Sequence, residues 1–304
     1  MRQPVSLLLL TAMVLASAVF PMITSHTLGE SERMMADTSL ALHLFAGMLF
    51  GGFAACHSLS GEIRRGTAAT VLCKPVEPAV FFVAKVFGLA TVLLTFSVTA
   101  ALSGLISVRA VAEPYLVDLW AIGPLLGFLI LAYAAAGAIN FFTRRPFVSD
   151  AYRLVVAAAA AAFLVVGALD RDGRWQVFGA GYLWPMASAS APIAMALWLL
   201  TALALALATR LEVVPTVTIC AVALLAGMMS DYLFGRAAAT GFRLAAVCYA
   251  AVPNWQHFWM ADALHLGETI PARYLGMAAA YAGFYLLGLL GVGIVLFRHT
   301  EVKS

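Results

Sequence analysis

Apolar residues run along this chain in long unbroken stretches, near residues 5–24, 39–56, 79–108, 119–143, 152–169, 187–208, 213–232 and 274–297. A helix needs roughly 20 such residues to cross about 30 Å of hydrocarbon. The stretches do not alternate polar with apolar, so the pattern predicts helices and not the strands of a barrel. Eight spans are expected. The fifth is alanine-rich (VVAAAAAAFLVVGAL) and the sixth opens beside Pro185 and Pro192. Those two are candidate re-entrant segments, which leaves six full crossings as the alternative.

Composition turns the pattern into a class. Hydrophobic residues make up 63% of the 304 and charged residues only 11%, against about 25% charged in an ordinary soluble domain. In hydrocarbon only helices and closed barrels satisfy their own backbone polar groups. The expected fold is therefore an all-α integral membrane protein, a single polytopic helical bundle over 1–304. The first stretch also imitates a secretory signal, with Arg2, an apolar run from Leu7 and small residues at Ala16, Ser17 and Ala18. With seven further spans behind it, an uncleaved helix is expected.

Charge gives the spans a direction. With the N-terminus in the cytoplasm, Arg2, Arg64, Arg65, Lys74, Lys85, Arg144, Arg145, Arg153, Arg210, Arg298 and Lys303 fall inside, and acidic residues predominate outside. The positive-inside rule then predicts a multi-pass protein of the plasma (inner) membrane with both termini cytoplasmic. A net charge of +3, scattered along the chain, gives no footprint for nucleic acid. Cys56, Cys73, Cys220 and Cys248 lie far apart, without a CxxC pair or a histidine at ligand spacing, and read as free thiols. No metal site is expected.

The chemistry of interest concentrates in the inner connection 57–78. Ser60 is placed to cap a short helix with Glu62 in its first turn, favourable at the positive end of the macrodipole, followed by Arg64 and Arg65. Ile63, Thr67, Thr70 and Val71 recur three and four apart and share a face. Pro75 and Pro78 then end the helix and return the chain to the membrane. Such a surface helix either snorkels its charges at the interface or is a rigid docking element for a soluble partner, and the pattern leaves both open.

The run Glu62, Gly66, Thr67, then Lys74, Pro75, Val76, then Lys85 and Gly88 resembles the signature of ABC-2 type permeases, membrane-spanning subunits of ABC transporters. Two further stretches are similar to parts of that family: AVPNWQHFWMADALHLGETIP (251–271), an outer-face segment before the last span, and the charged ending LFRHTEVKS. The resemblance implies that the loop is the coupling helix seated in a cleft of a separate ATPase subunit, with Glu62, Arg64, Arg65, Gly66, Thr67, Lys74 and Pro75 making the contact. It implies an assembly of two permease chains, as a homodimer or heterodimer, with two ATPase chains in the lipid bilayer, exporting an unidentified substrate. ATP and magnesium would sit on the partner, and this chain, which has no GxxxxGK[ST] loop, would carry no cofactor and no catalysis. Two features depart from the family: only Met1–Pro4 precede the first span, where an amphipathic surface helix is usual, and eight spans replace six. An extra hairpin near 152–208 accounts for the second.

Other polar residues have plainer expectations. His43 and Asn140 are placed for helix–helix hydrogen bonds. Arg144 and Arg145, with Asp150 and Arg153, form a second inner loop, either a solvated topogenic cluster or a second ATPase contact. Within the outer connection 233–273, Trp255, His257, Phe258 and Trp259 are expected to form a half-buried interfacial helix. An intramembrane enzyme would need HExxH, GxSxG or paired carboxylates at depth, and an ion-coupled carrier would need mid-span acids; neither pattern is present in the spans.

Overall fold

The computed structural model describes residues 3–24, 30–64, 77–111, 117–265 and 270–298. It is helical almost throughout; among these residues the one β-type pairing is an isolated bridge between Leu169 and Trp175. In chain order the helices are α1 (Pro4–Thr24), α2 (Ser31–Arg64), α3 (Pro78–Ala110), α4 (Leu119–Thr143), α5 (Phe147–Ala168), α6 (Pro185–Leu207) and α7 (Val213–Met228). A π-helical turn (Asp231–Gly235), α8 (Arg236–Ala239), α9 (Arg243–Ala251), a 3-10 turn (Trp255–Phe258), α10 (Ala261–His265) and α11 (Ala272–Arg298) follow. Seven of these, α1 to α6 and α11, are long and apolar enough to cross a membrane. The protein is a multi-pass helical membrane protein.

The helix starts follow from local chemistry. α1, α3 and α6 each open on a proline, Pro4, Pro78 and Pro185, whose missing N–H is no loss in a first turn. Asp118 caps α4, its carboxylate accepting from the N–H groups of Trp120 (2.8 Å) and Ala121 (3.2 Å). At the other end Arg144 takes the left-handed conformation (φ 54°) that closes a helix, and its N–H returns to the Asn140 carbonyl at 2.9 Å.

The seventh expected span, not the fifth or sixth, is the irregular one. α5 and α6 are continuous helices of 22 and 23 residues. After only 16 residues of α7, by contrast, the chain bends by 62° into the π-turn and α8. The sequence around Met228–Asp231 contains neither Pro nor Gly after Gly227 to announce a break. Side chains from farther along the chain hold it: Trp255 Nε1 donates to the Ala223 carbonyl (2.9 Å) and Gln256 Nε2 to the Met228 carbonyl (2.8 Å). Irregular backbone at membrane depth survives where protein groups satisfy it.

The chain divides into two compact units, and α2, α3 and α6 contribute to both. The first comprises Met1–Phe50, Leu94–Ala191 and Ala261–Ile270. Its core stacks Phe50 on Phe96 (centroids 4.6 Å apart) and Tyr152 (6.5 Å), and Tyr152 shares a hydrogen bond of 2.9 Å with Thr95. Thr11 meets the Tyr133 hydroxyl, and Ser107 donates to the Ser17 carbonyl, tying α1 to α4 and α3.

The second unit comprises Gly51–Leu93, Pro192–Met260 and Pro271–Ser304. Gly51 and Gly52 let α2 lie directly on its neighbours: a Cβ at Gly51 would strike Thr201 of α6, and one at Gly52 would come within 3.0 Å of Val217 of α7. Gly293 of α11 plays the same part against the ring of Phe82.

Candidate functional site

The stems of the 57–78 connection are built from α2, α3 and α11. α2 does not stop at the expected span end near residue 56; it runs on as one helix of 34 residues to Arg64. Ser60 therefore sits inside a helix and not at the start of one. Pro78 likewise does not end a helix but begins α3. Glu62 and Arg64 lie on the last turn of α2, while Arg65, Gly66, Thr67, Lys74 and Pro75 lie outside the described residues.

Below the loop the stems are pinned. Lys85 Nζ of α3 donates to the Ser58 carbonyl of α2 (3.5 Å) and stands over the Phe81 ring, 5.4 Å from its centroid. Phe81 stacks on Phe297 of α11 (5.6 Å, 17°), and buried Phe82 packs against the same ring. Lys85 was expected as an inner topogenic charge and as part of the family-like run; its stem covers apolar surface while its ammonium meets a backbone carbonyl of α2.

Arg144 and Arg145 occupy a turn far shorter than the expected loop, because α5 already starts at Phe147. Asp150 and Arg153, paired at 3.6 Å, belong to the first two turns of that helix, with Asp150 buried. Asn140 does not bond across helices: its Nδ2 donates to the Arg145 carbonyl (2.5 Å) and closes the end of its own helix. Arg144 and Arg145 are left exposed at the tip, flanked by Phe141 and Phe142, about four-fifths exposed.

Arg109, one residue past the expected end of the third span at 108, is buried, with 3% of its surface exposed. Its Nε lies 3.6 Å from Asp118, its Nη1 donates to the Val166 carbonyl and its Nη2 to the Leu169 carbonyl at 2.5 Å. One guanidinium thus joins the end of α3, the start of α4 and the end of α5, where its charge also opposes the negative pole of the helix. Tyr182 closes over this latch. It stacks on Phe163 (4.7 Å, 5°) and donates its hydroxyl to the Phe163 carbonyl (2.6 Å). Burial raises the Tyr182 phenol above the usual tyrosine range, against a smaller downward pull from Arg109. An arginine in the last turn of a span followed closely by a capping aspartate was the available signal, but the carbonyls it serves are far away in sequence.

The residues expected to form a half-buried interfacial helix, Trp255, His257, Phe258 and Trp259, do not form one. Trp255 and Phe258 are inserted, 3% and 2% exposed, and only the 3-10 turn between them is regular. Asn254 donates its N–H to the Tyr281 hydroxyl (2.9 Å) and its Nδ2 to Asp231 (3.2 Å), which also accepts from Tyr249 (2.6 Å). That bond to Asp231, with burial adding to it, raises the Tyr249 phenol above its ordinary value. The aromatics serve as the clamp on the α7 bend.

His43 is 2% exposed within α2, and neither ring nitrogen meets a hydrogen-bond partner among the described residues. The expected helix–helix bond is absent there. The buried hydroxyls of Ser39, Ser97 and Ser103 share this condition. Cys56, Cys220 and Cys248 are free thiols, Cys73 lies outside the described residues, and among those described no three of His, Cys, Asp and Glu converge as metal ligands.

Fold and site together define a polytopic helical membrane protein whose second and third long helices are tied to each other at Lys85 and Ser58. No family model matches the chain, and no curated protein or solved structure matches it.

Proposed function

We propose that this chain is the permease subunit of an ATP-driven ABC-2 type exporter, driven through its 57–78 connection by a separate ATPase and working beside a second permease chain. The carrying observation is the ordered motif Glu62, Gly66, Thr67, Lys74, Pro75, Val76, set between two helices longer than a membrane requires. At 1.5 Å per residue, α2 (34 residues) and α3 (33 residues) each measure about 50 Å against about 30 Å of hydrocarbon. From Thr38 to Gly61, α2 carries no Asp, Glu, Lys or Arg, so its charged last turn falls beyond the apolar stretch. The Lys85–Ser58 bond and the Phe81, Phe82 and Phe297 rings stiffen the stems, and stiffness is what lets a displacement at the loop move the spans. In this reading both termini and the Arg144–Arg145 turn are cytoplasmic, ATP and magnesium stay on the partner, and the chain itself catalyses nothing.

The test is purification of the full-length chain in mild detergent with its ATPase, followed by ATP hydrolysis in liposomes. Glu62→Ala and Thr67→Tyr are expected to lower hydrolysis to that of the ATPase alone while the spans stay folded. Unchanged hydrolysis in both variants would refute the proposal.

His43 favours one other reading, an ion-coupled carrier, because it is a buried ionisable side chain without a hydrogen-bond partner among the described residues, and such a group is costly to keep in a membrane. That reading expects His43→Gln to abolish transport driven by an ion gradient and Glu62→Ala to leave it intact.

A further inference from the structure

We propose that a cavity in the second unit, between α3, α6 and α11, holds the end of a membrane-lipid acyl chain. This inference is independent of the transport reading. The cavity encloses about 130 Å³ and is walled by Val86, Phe87 and Ala90 of α3, Trp198 and Ala202 of α6, and Leu286 of α11. Its walls present carbon almost exclusively. An apolar cavity of similar size, about 150 Å³ and lined by Leu, Ile and Phe, stays dry and accepts benzene, so this one accepts hydrocarbon in preference to water or a polar solute.

The surroundings identify where that hydrocarbon comes from. Leu286 sits halfway along α11, a helix long and apolar enough to span, so the cavity lies at the depth where lipid chains end. Phe87 on its wall is itself 59% exposed, and Val80 of the same helix and Phe284 and Leu287 of α11 are exposed apolar residues as well. The mouth is therefore continuous with the face the protein turns to lipid, and an aqueous molecule would reach it only through hydrocarbon. Ala90 of α3 and Ala202 of α6, the small side chains among these walls, leave room that a larger residue at either position would fill. A chain terminus makes up the missing contacts that a void denies its lining.

The experiment places the full-length protein in phosphatidylcholine nanodiscs doped with a phosphatidylcholine bearing a diazirine on the terminal carbon of one acyl chain. After irradiation, labelled residues are mapped by mass spectrometry. Expected is labelling of Phe87, Ala90 and Leu286 several-fold above that of Ile130 and Leu131, exposed apolar residues of α4 that do not line this cavity. Ala202→Phe is expected to abolish the excess. Should that variant fail to fold, Ala90→Leu, a smaller filling change, is expected to reduce it. A headgroup-borne diazirine is expected to leave the cavity unlabelled. Equal labelling of cavity and α4 residues, cavity labelling unchanged by Ala90→Leu, or cavity labelling by the headgroup probe would each overturn the proposal.

Discussion

Removing the Arg109 guanidinium tests the packing at the ends of α3, α4 and α5 most sharply. The Arg109 and Asp118 side chains are 2% and 5% exposed, and their charges lie 3.6 Å apart. Arg109→Gln strands a buried carboxylate and takes the donors from the Val166 and Leu169 carbonyls in one step. Breaking a buried ion pair from one side costs about 3–5 kcal/mol. The carbonyl bonds and the helix-pole term are parts of that figure, not additions to it. At 2–4 °C per kcal/mol for large domains, the unfolding temperature should fall by roughly 6–20 °C. Arg109→Lys keeps the charge but cannot reach three acceptors with a planar fork, so about half the loss is expected. The double change Arg109→Met with Asp118→Asn removes both charges while Asn still caps α4, and should recover most of the loss. Intrinsic fluorescence during thermal unfolding reads this directly, because Trp120 and Trp184 stand over Gly173 and Gly179 in the adjoining loop. An unfolding temperature for Arg109→Gln within about 2 °C of the parent would refute the argument, as would a double variant no better than Arg109→Gln.

Gly51→Ala should destabilise by about 1–3 kcal/mol through its clash with Thr201, and Thr201→Ala in the same chain should restore stability; failure of the second change to rescue the first would show that the contact is not the cause. Trp255→Phe keeps a ring on Gly227 but loses the bond to Ala223, so about 1 kcal/mol and faster amide exchange at Met228–Asp231 are expected. Unchanged exchange there would mean the α7 bend is held by something else. Tyr182, with its phenol raised in the fold, favours the neutral form. Its contribution is full below the unfolded tyrosine value near 10 and is lost as pH rises beyond it toward the folded value. Stability of the parent should therefore fall more steeply above about pH 10 than that of Tyr182→Phe, and parallel curves would contradict this.

The spans were legible because length alone identifies them: seven long apolar helices and one bent pair fall where the apolar stretches lie. Their ends were less legible. Hydropathy reads only the part in hydrocarbon, so α2 begins at Ser31 and ends at Arg64, well beyond the expected 39–56, because polar turns such as SERMMADT remain helical outside it. Suspicion fell on the alanine run of α5 and on Pro185 and Pro192 of α6, yet alanine is the best helix former and Pro185 sits at a first turn, where proline does no harm. The α7 break escaped because its cause is Trp255 and Gln256, tens of residues away. Arg109 escaped for the same reason: charge counts assign every arginine to a loop, whereas its partners are carbonyls on another helix. Of the loop expected to meet a partner, the sequence supplied the motif and the structure supplied its stems, through Lys85, Phe81, Phe82 and Phe297.

The most direct test of the central proposal is a photocrosslinking amino acid at position 67, in the full-length chain purified with its ATPase in lipid nanodiscs. The account predicts a crosslink from this position to a subunit carrying a GxxxxGK[ST] loop, with a yield that changes when ATP is added, and none from the same group placed at Asp172 in the α5–α6 loop. A crosslink at Asp172 with none at position 67 would contradict it.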